Sequence, residues 1–175
     1  SYFDDSGTHR ESVVTIIGGY AATKVVWEAV EKSWRAILNE YKDEGVHCFH
    51  ATHCLAQEGQ FDRLEKPHCV YIYKQLSDIL EQSALEPIYT AVWNEDWEAV
   101  ANEYPNFREL CPSAYDFCID RVMGQLVSWS AKNAGGSKVP IVIAIQKEHA
   151  AETLATTNSW MGHKIVWDRI GAVAF

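Results

Sequence analysis

Phe3-Asp4-Asp5-Ser6-Gly7 and, shortly after it, Val13-Val14-Thr15-Ile16-Ile17-Gly18-Gly19 are the stretch on which the fold turns. Asp, Ser and Gly favour a turn, whereas the run from Val13 is β-branched throughout and closes on a glycine pair. The two pieces therefore read as a hairpin or strand pair. Working outward, apolar residues at Trp27, Val30, Trp34, Ile37, Leu38 and Tyr41 recur at spacings of three, four and seven. That pattern is one face of an amphipathic helix between about Lys24 and Lys42, with Thr23 as its N-cap.

Further along, Val46 to Phe49 reads as a short extended piece, and Gln57 to Phe61 as a glycine-containing loop. A second helix carries Val70, Tyr73, Leu76, Ile79 and Leu80, with Pro67 in its first turn. Pro87 to Trp93 has the branched and aromatic content of a strand, after which Asn94 offers a cap to a short acidic helix around Trp97. Ser113-Ala114-Tyr115-Asp116 resembles a capping box that opens a long helix running to Gly135-Gly136. Val139 to Ile145 is nearly all apolar and reads as a central strand buried on both faces. A short helix near Ala151 and extended segments at Lys164 to Trp167 and Ile170 to Phe175 complete the reading. Strands alternating with helices indicate an α/β fold with a mixed sheet.

The 175 residues are 47% hydrophobic and 22% charged, which suits one globular domain, 1–175, with a core built without disulfide staples. Fifteen Lys and Arg against 24 Asp and Glu give a net charge of -9. No basic tract stands out, so a simple electrostatic nucleic-acid binder is disfavoured. The longest aliphatic run is far shorter than the ~20 residues of a bilayer span. The amino end lacks the features of a signal peptide, and five cysteines, an odd number, argue for reduced thiols. The expected location is the cytoplasm.

Three places carry candidate chemistry. Asp4 and Asp5 put two carboxylates at a strand end, where oxygen ligands suit a hard divalent cation; the plain alternative is a solvated turn. His47-Cys48-Phe49-His50-Ala51-Thr52-His53-Cys54, with His68-Cys69 nearby, concentrates ligands of the kind zinc prefers, although successive residues of an extended segment point apart. The plain alternative makes Cys48 and Cys54 small buried hydrophobes and His47 and His53 solvated surface. Glu148 follows the apolar strand at Val139 to Ile145, beyond whose carboxyl end α/β sheets usually keep function. The acidic stretch of Asp96, Glu98, Glu103, Glu109 and Asp116 is read as mainly solvated helix faces, with room for one inward carboxylate.

In order, Tyr2-Phe3-Asp4-Asp5-Ser6-Gly7, the strand ending at Gly18-Gly19, the helix with Trp27 and Trp34, and Phe49-His50-Ala51-Thr52 resemble the domain of unknown function 3800 family. In that family an Asp-Glu-Ser-Gly opening, a Phe-His pair and a Glu after a later apolar strand recur. Asp4 and Asp5, His50 and Glu148 hold those places here. Asp5 is one methylene shorter than the usual Glu, and Lys147 adjoins Glu148. The further Asp that members carry on a C-terminal helix has no counterpart up to Phe175, so the resemblance implies a domain short of that helix.

The resemblance implies a ribonuclease H-like fold, a mixed sheet flanked by helices, and a metal-dependent nuclease acting on DNA or RNA. On this expectation Asp4 and Glu148 hold one or two Mg2+ or Mn2+ ions, and Asp5 ligates directly or through water. His50 orients a ligand or shuttles a proton. The competing expectations are a ribonuclease H-like binding or regulatory module without turnover, and a zinc-stabilised domain built on His47 to Cys54. Exposed aromatics such as Trp160 are candidates for stacking on bases or for pairing with another subunit, the plain alternative for most Trp being buried packing.

Overall fold

The structure is a computed structural model that describes residues 1–7, 11–144 and 170–174. Its contacts divide the chain into two compact units, Ser1–Ala21 with Glu86–Phe175, and Ala22–Leu85.

The first unit is a mixed α/β assembly. Its strands are β1 (Tyr2–Ser6), β2 (Val14–Ala21), β3 (Glu86–Trp93), β4 (Val139–Ile143) and β5 (Ile170–Ala174). They form one five-stranded sheet in the order β3-β2-β1-β4-β5. β1 and β2 pair antiparallel, as do β2 and β3, while β1 with β4 and β4 with β5 are parallel. Thus β2 alone runs against the other four.

The expected strand pair is present, but β2 does not stop at its glycines. A Cβ at Gly19 would overlap the Tyr2 carbonyl oxygen and lie 2.6 Å from Phe3 Cδ1, so the strand continues because residue 19 has no side chain. Gly7 serves the turn instead, with φ +74° and the Val14 carbonyl where a Cβ would stand.

Two-residue alternation then sorts the sheet into faces. Phe3, Thr15, Ile17, Ala21 and Ile88 are buried on one face. There they meet the long helix, whose Tyr115, Cys118, Ile119, Val122, Met123 and Leu126 share their core. This helix is labelled α6 below, after α1 (Lys24–Glu40), α2 (Ala51–Ala56), α3 (Lys66–Gln82), α4 (Asn94–Glu103) and α5 (Pro105–Leu110); α6 itself spans Ala114–Asn133. Its start is as the capping-box reading expects. Ser113 Oγ accepts from the Asp116 amide at 3.1 Å and donates to Asp116 Oδ2 at 2.6 Å.

Other expectations change. β4 reads buried, exposed, buried, half-buried, buried, so among the described residues it is covered on one face rather than both. Asn94 is the first residue of α4 and caps nothing. Its Nδ2 donates to the Ser12 carbonyl at 2.7 Å and its Oδ1 accepts from Thr15 Oγ1 at 2.7 Å, tying β3's end to β2. The helix expected near Ala151 and the extended piece at Lys164 to Trp167 lie outside the described residues, as does Trp160, while β5 matches the extended segment expected from Ile170.

The second unit is helical, with α1 and α3 as expected and Pro67 in the first turn of α3. Thr23 occupies the N-cap position of α1 without a side-chain capping bond. Its core gathers Val46, Cys54, Phe61, Leu64, Cys69, Ile72 and Leu76. No helix among the described residues is long and apolar enough to cross a membrane.

Gly19→Ala is expected to destabilise the first unit by about 2–4 kcal/mol, because the clash is with backbone that cannot turn aside. Urea denaturation followed by Trp fluorescence measures it, and an unchanged midpoint contradicts the close approach of β1 to β2.

Candidate functional site

β1 is the strand at which the topology changes direction. From β1 the chain moves through β2 to β3 on one side, then crosses back to lay β4 and β5 on the other. The connections after β1 and after β4 therefore diverge, and in α/β sheets the crevice outside the carboxyl ends of two such strands is where ligands bind. Parallel pairing holds those ends level. Tyr2 and Phe3 face Val142 and Ile143, and the Ala144 amide donates to the Phe3 carbonyl at 2.9 Å. Asp4 and Asp5 occupy the end of β1.

The sheet gives the two carboxylates different surroundings. Asp4 is exposed on the face it shares with Tyr2 and Ser6, and its Oδ1 accepts from the Asp5 amide at 2.9 Å. Asp5 is half-buried on the opposite face, the one Phe3 buries against α6. Asp116, in the first turn of α6, is the carboxylate of the acidic stretch that lies buried, at 8% exposure. Its neighbour on α6, Cys118, donates through Sγ to the Thr15 carbonyl at 3.6 Å, which locates this end of the helix over β2. Burial in that apolar contact pushes the Cys118 thiol up to about 12. The sequence allowed for one inward carboxylate without distinguishing it; the Ser113 cap was the available signal, since it fixes where α6 begins and hence which side its first turn presents.

Asp4's face of the sheet is aromatic. Tyr2, Tyr89 and Trp93 are 53%, 66% and 57% exposed, large values for such side chains. Asp4, Gly18 and Tyr89 are register partners across β1, β2 and β3. Gly18 therefore leaves no side chain between the Asp4 carboxylate and the Tyr89 ring.

His50 lies in the helical unit, while Asp4 and Asp5 lie in the sheet unit. Glu148 falls outside the described residues. His50 is exposed at the N-cap position of α2, with Nδ1 2.9 Å from Thr52 Oγ1 and its ring stacked on His53 at 4.1 Å between centroids. The extended piece expected before it forms no strand. The Gln60 side chain takes the place of a neighbouring strand, its Oε1 accepting from the His47 and Cys48 amides at 2.8 and 3.2 Å and its Nε2 donating to the Cys48 carbonyl at 2.6 Å. Phe49 then packs among Trp34, Phe61 and Tyr73 at centroid distances of 5.8, 6.4 and 6.2 Å.

The zinc-type ligands of this segment separate accordingly. Cys54 is buried in the core, Cys48 is exposed rather than buried and accepts from Gln60 Nε2 at 3.0 Å, and His47 and His53 are exposed. All five cysteines are free thiols. Among the described residues, no three His, Cys, Asp or Glu side chains come together as a metal-holding group.

Comparison of the chain with models of known families, with curated proteins and with solved structures finds no match.

Gln60→Ala is expected to release residues 46–50 from their clamp, with roughly 1–2 kcal/mol lost in chemical denaturation and faster proteolysis in this segment. Gln60→Glu, which retains the acceptor but lacks the amide donor, should fall between the two.

Proposed function

We propose that the chain is a metal-dependent nuclease with a ribonuclease H-like fold, as its resemblance to the domain of unknown function 3800 family implies. The observation that carries this reading is the placement of Asp4 and Asp5 at the carboxyl end of β1, beside β4, where the connections of the sheet diverge. The mixed sheet and the helix covering one of its faces are compatible with it.

The donor set fits the expected ion. Carboxylate oxygens are the hard ligands that Mg2+ and Mn2+ take, and Mg2+ is usually held by one or two carboxylates together with substrate phosphates. Asp4 would hold it, with Glu148 as a second carboxylate, while Asp5, which leaves β1 on the opposite face, would reach it through water. When bound, the ion supplies a Lewis acid for the phosphodiester and lowers the pKa of a bound water. Asp5, half-buried against the helix-covered face, acts as the positionally restrained carboxylate, and Asp4 presents its oxygens to solvent on the aromatic face. On that face Tyr2, Tyr89 and Trp93 offer rings on which unpaired bases stack. The net charge of -9 opposes a polyanion, and the ion offsets that locally. No step is assigned to His50.

The same aromatic face favours a second reading, a binding module that holds single strands without cutting them. Labelled single- and double-stranded DNA and RNA, incubated with Mg2+ or Mn2+ and with a chelator as control, separate the two. Under the nuclease reading the unaltered chain cleaves at least one substrate, and Asp4→Asn and Asp5→Asn each fall to the chelated background with unchanged circular dichroism. Full cleavage by the doubly substituted chain sinks that reading, while binding without cleavage by the unaltered chain favours the module. Under either, Tyr89→Ala is expected to weaken single-strand binding by about tenfold, since stacking on one aromatic side chain contributes about 1–3 kcal/mol per base.

A further inference from the structure

Cys54 and Cys69 are both completely buried, and they come from different helices of the second unit. Cys54 Sγ donates to the Cys69 carbonyl at 3.3 Å, which brings the Cys54 thiol to the backbone of Cys69. Cys54 is the buried residue of α2, a six-residue helix with no side-chain N-cap bond, ended by Gln57 in the left-handed region at φ 58°. Cys54 is thus the one side chain of α2 that the core encloses fully. Cys69 is seated in the first turns of the seventeen-residue α3, beside Ile72 and Leu76 of the same core. One member of the pair is thus on a helix of six residues, the other on one of seventeen.

We propose that Cys54 and Cys69 are a redox pair, closing to a reversible disulfide that clamps α2 to α3 when the chain meets hydrogen peroxide. In the closed helix the Cys54 thiol is shielded, and burial pushes it up to about 11, so it is protonated and unreactive. Opening of α2 returns it to water, where its thiolate attacks the peroxide. The O–O bond breaks, Cys54 becomes a sulfenic acid, and the other peroxide oxygen leaves as water once protonated. The Cys69 sulfur then attacks the sulfenyl sulfur, the S–S bond forms, the S–O bond breaks, and a second water leaves. Two thiols have lost two protons and two electrons to one peroxide. A thiol reductant reverses the bond and releases α2 from α3.

The competitor is Cys48, which is exposed and so meets peroxide without any opening. The two routes give different products, because the pair yields an internal bond and Cys48 alone yields an oxygen adduct.

The chain as it stands is treated with hydrogen peroxide, trapped with a thiol-blocking reagent and digested without reductant for peptide mass mapping. The expected result is a linked pair of peptides containing Cys54 and Cys69, lighter by two hydrogens than the reduced pair and lost on adding dithiothreitol. Hydrogen exchange of the Ala51–Ala56 amides is expected to slow by about tenfold in the oxidised form, a change that a bond elsewhere would not produce. Cys48→Ser should leave the linkage intact, and Cys69→Ala should abolish it. Oxygen adducts with no internal bond, a bond joining any other two cysteines, or a Cys54–Cys69 bond that leaves exchange in α2 unchanged each overturn the proposal. The mapping on the unaltered chain decides the matter even where a substituted chain does not fold.

Discussion

The first unit depends on how near the backbone of β1 lies to that of β2. Residue 19 must be glycine for Tyr2 and Phe3 to sit where they do, and the antiparallel register from Tyr2 opposite Tyr20 to Ser6 opposite Ile16 follows from that seat. Register in turn decides sidedness. With Phe3 turned into the core, two-residue alternation sends Asp5 to the helix-covered face and leaves Tyr2, Asp4 and Ser6 on the other. A slip of one residue would bury Asp4 and expose Phe3, exchanging a favourable apolar burial for the desolvation of a carboxylate. The position of the two acids is therefore tied to a steric constraint fourteen residues further along the chain than Asp5.

The second unit solves a different problem, which is how to hold irregular backbone in place. Residues 46–50 have no partner strand, and the Gln60 amide supplies donor and acceptor in the geometry that a strand edge would present. This frees Phe49 to pack against three aromatic rings while His50 faces solvent. The Phe-His pair is thus divided between core and surface by the ordinary rule that an aromatic hydrocarbon gains from burial and an imidazole keeps its water unless paired.

The exposed face of the sheet has no comparable resolution within the described residues. Rings at Tyr2, Tyr89 and Trp93 stay in water on the face that carries the Asp4 carboxylate, with Gly18 keeping the floor between Asp4 and Tyr89 open. A surface of this composition is an unusual one for a strand set to leave uncovered, and it is the physical reason that the acids and the aromatics are considered together.

The sequence by itself determined those features whose cause is local. The branched run from Val13, the apolar spacing from Trp27 to Tyr41, Pro67 in a first turn and the Ser113 cap each state a backbone preference within a few residues, and the elements they announce are present. Asn94 and Val46 to Phe49 read wrongly because their hydrogen bonds go to distant partners, Thr15 and Gln60, which local pattern does not name. The pairing of β1 with β4, the burial of Asp116 among several acids, and the meeting of Cys54 with Cys69 were likewise decided only by tertiary structure. Periodicity records which face of an element is apolar; which element covers that face is set by chain crossings and close packing among residues far apart in sequence.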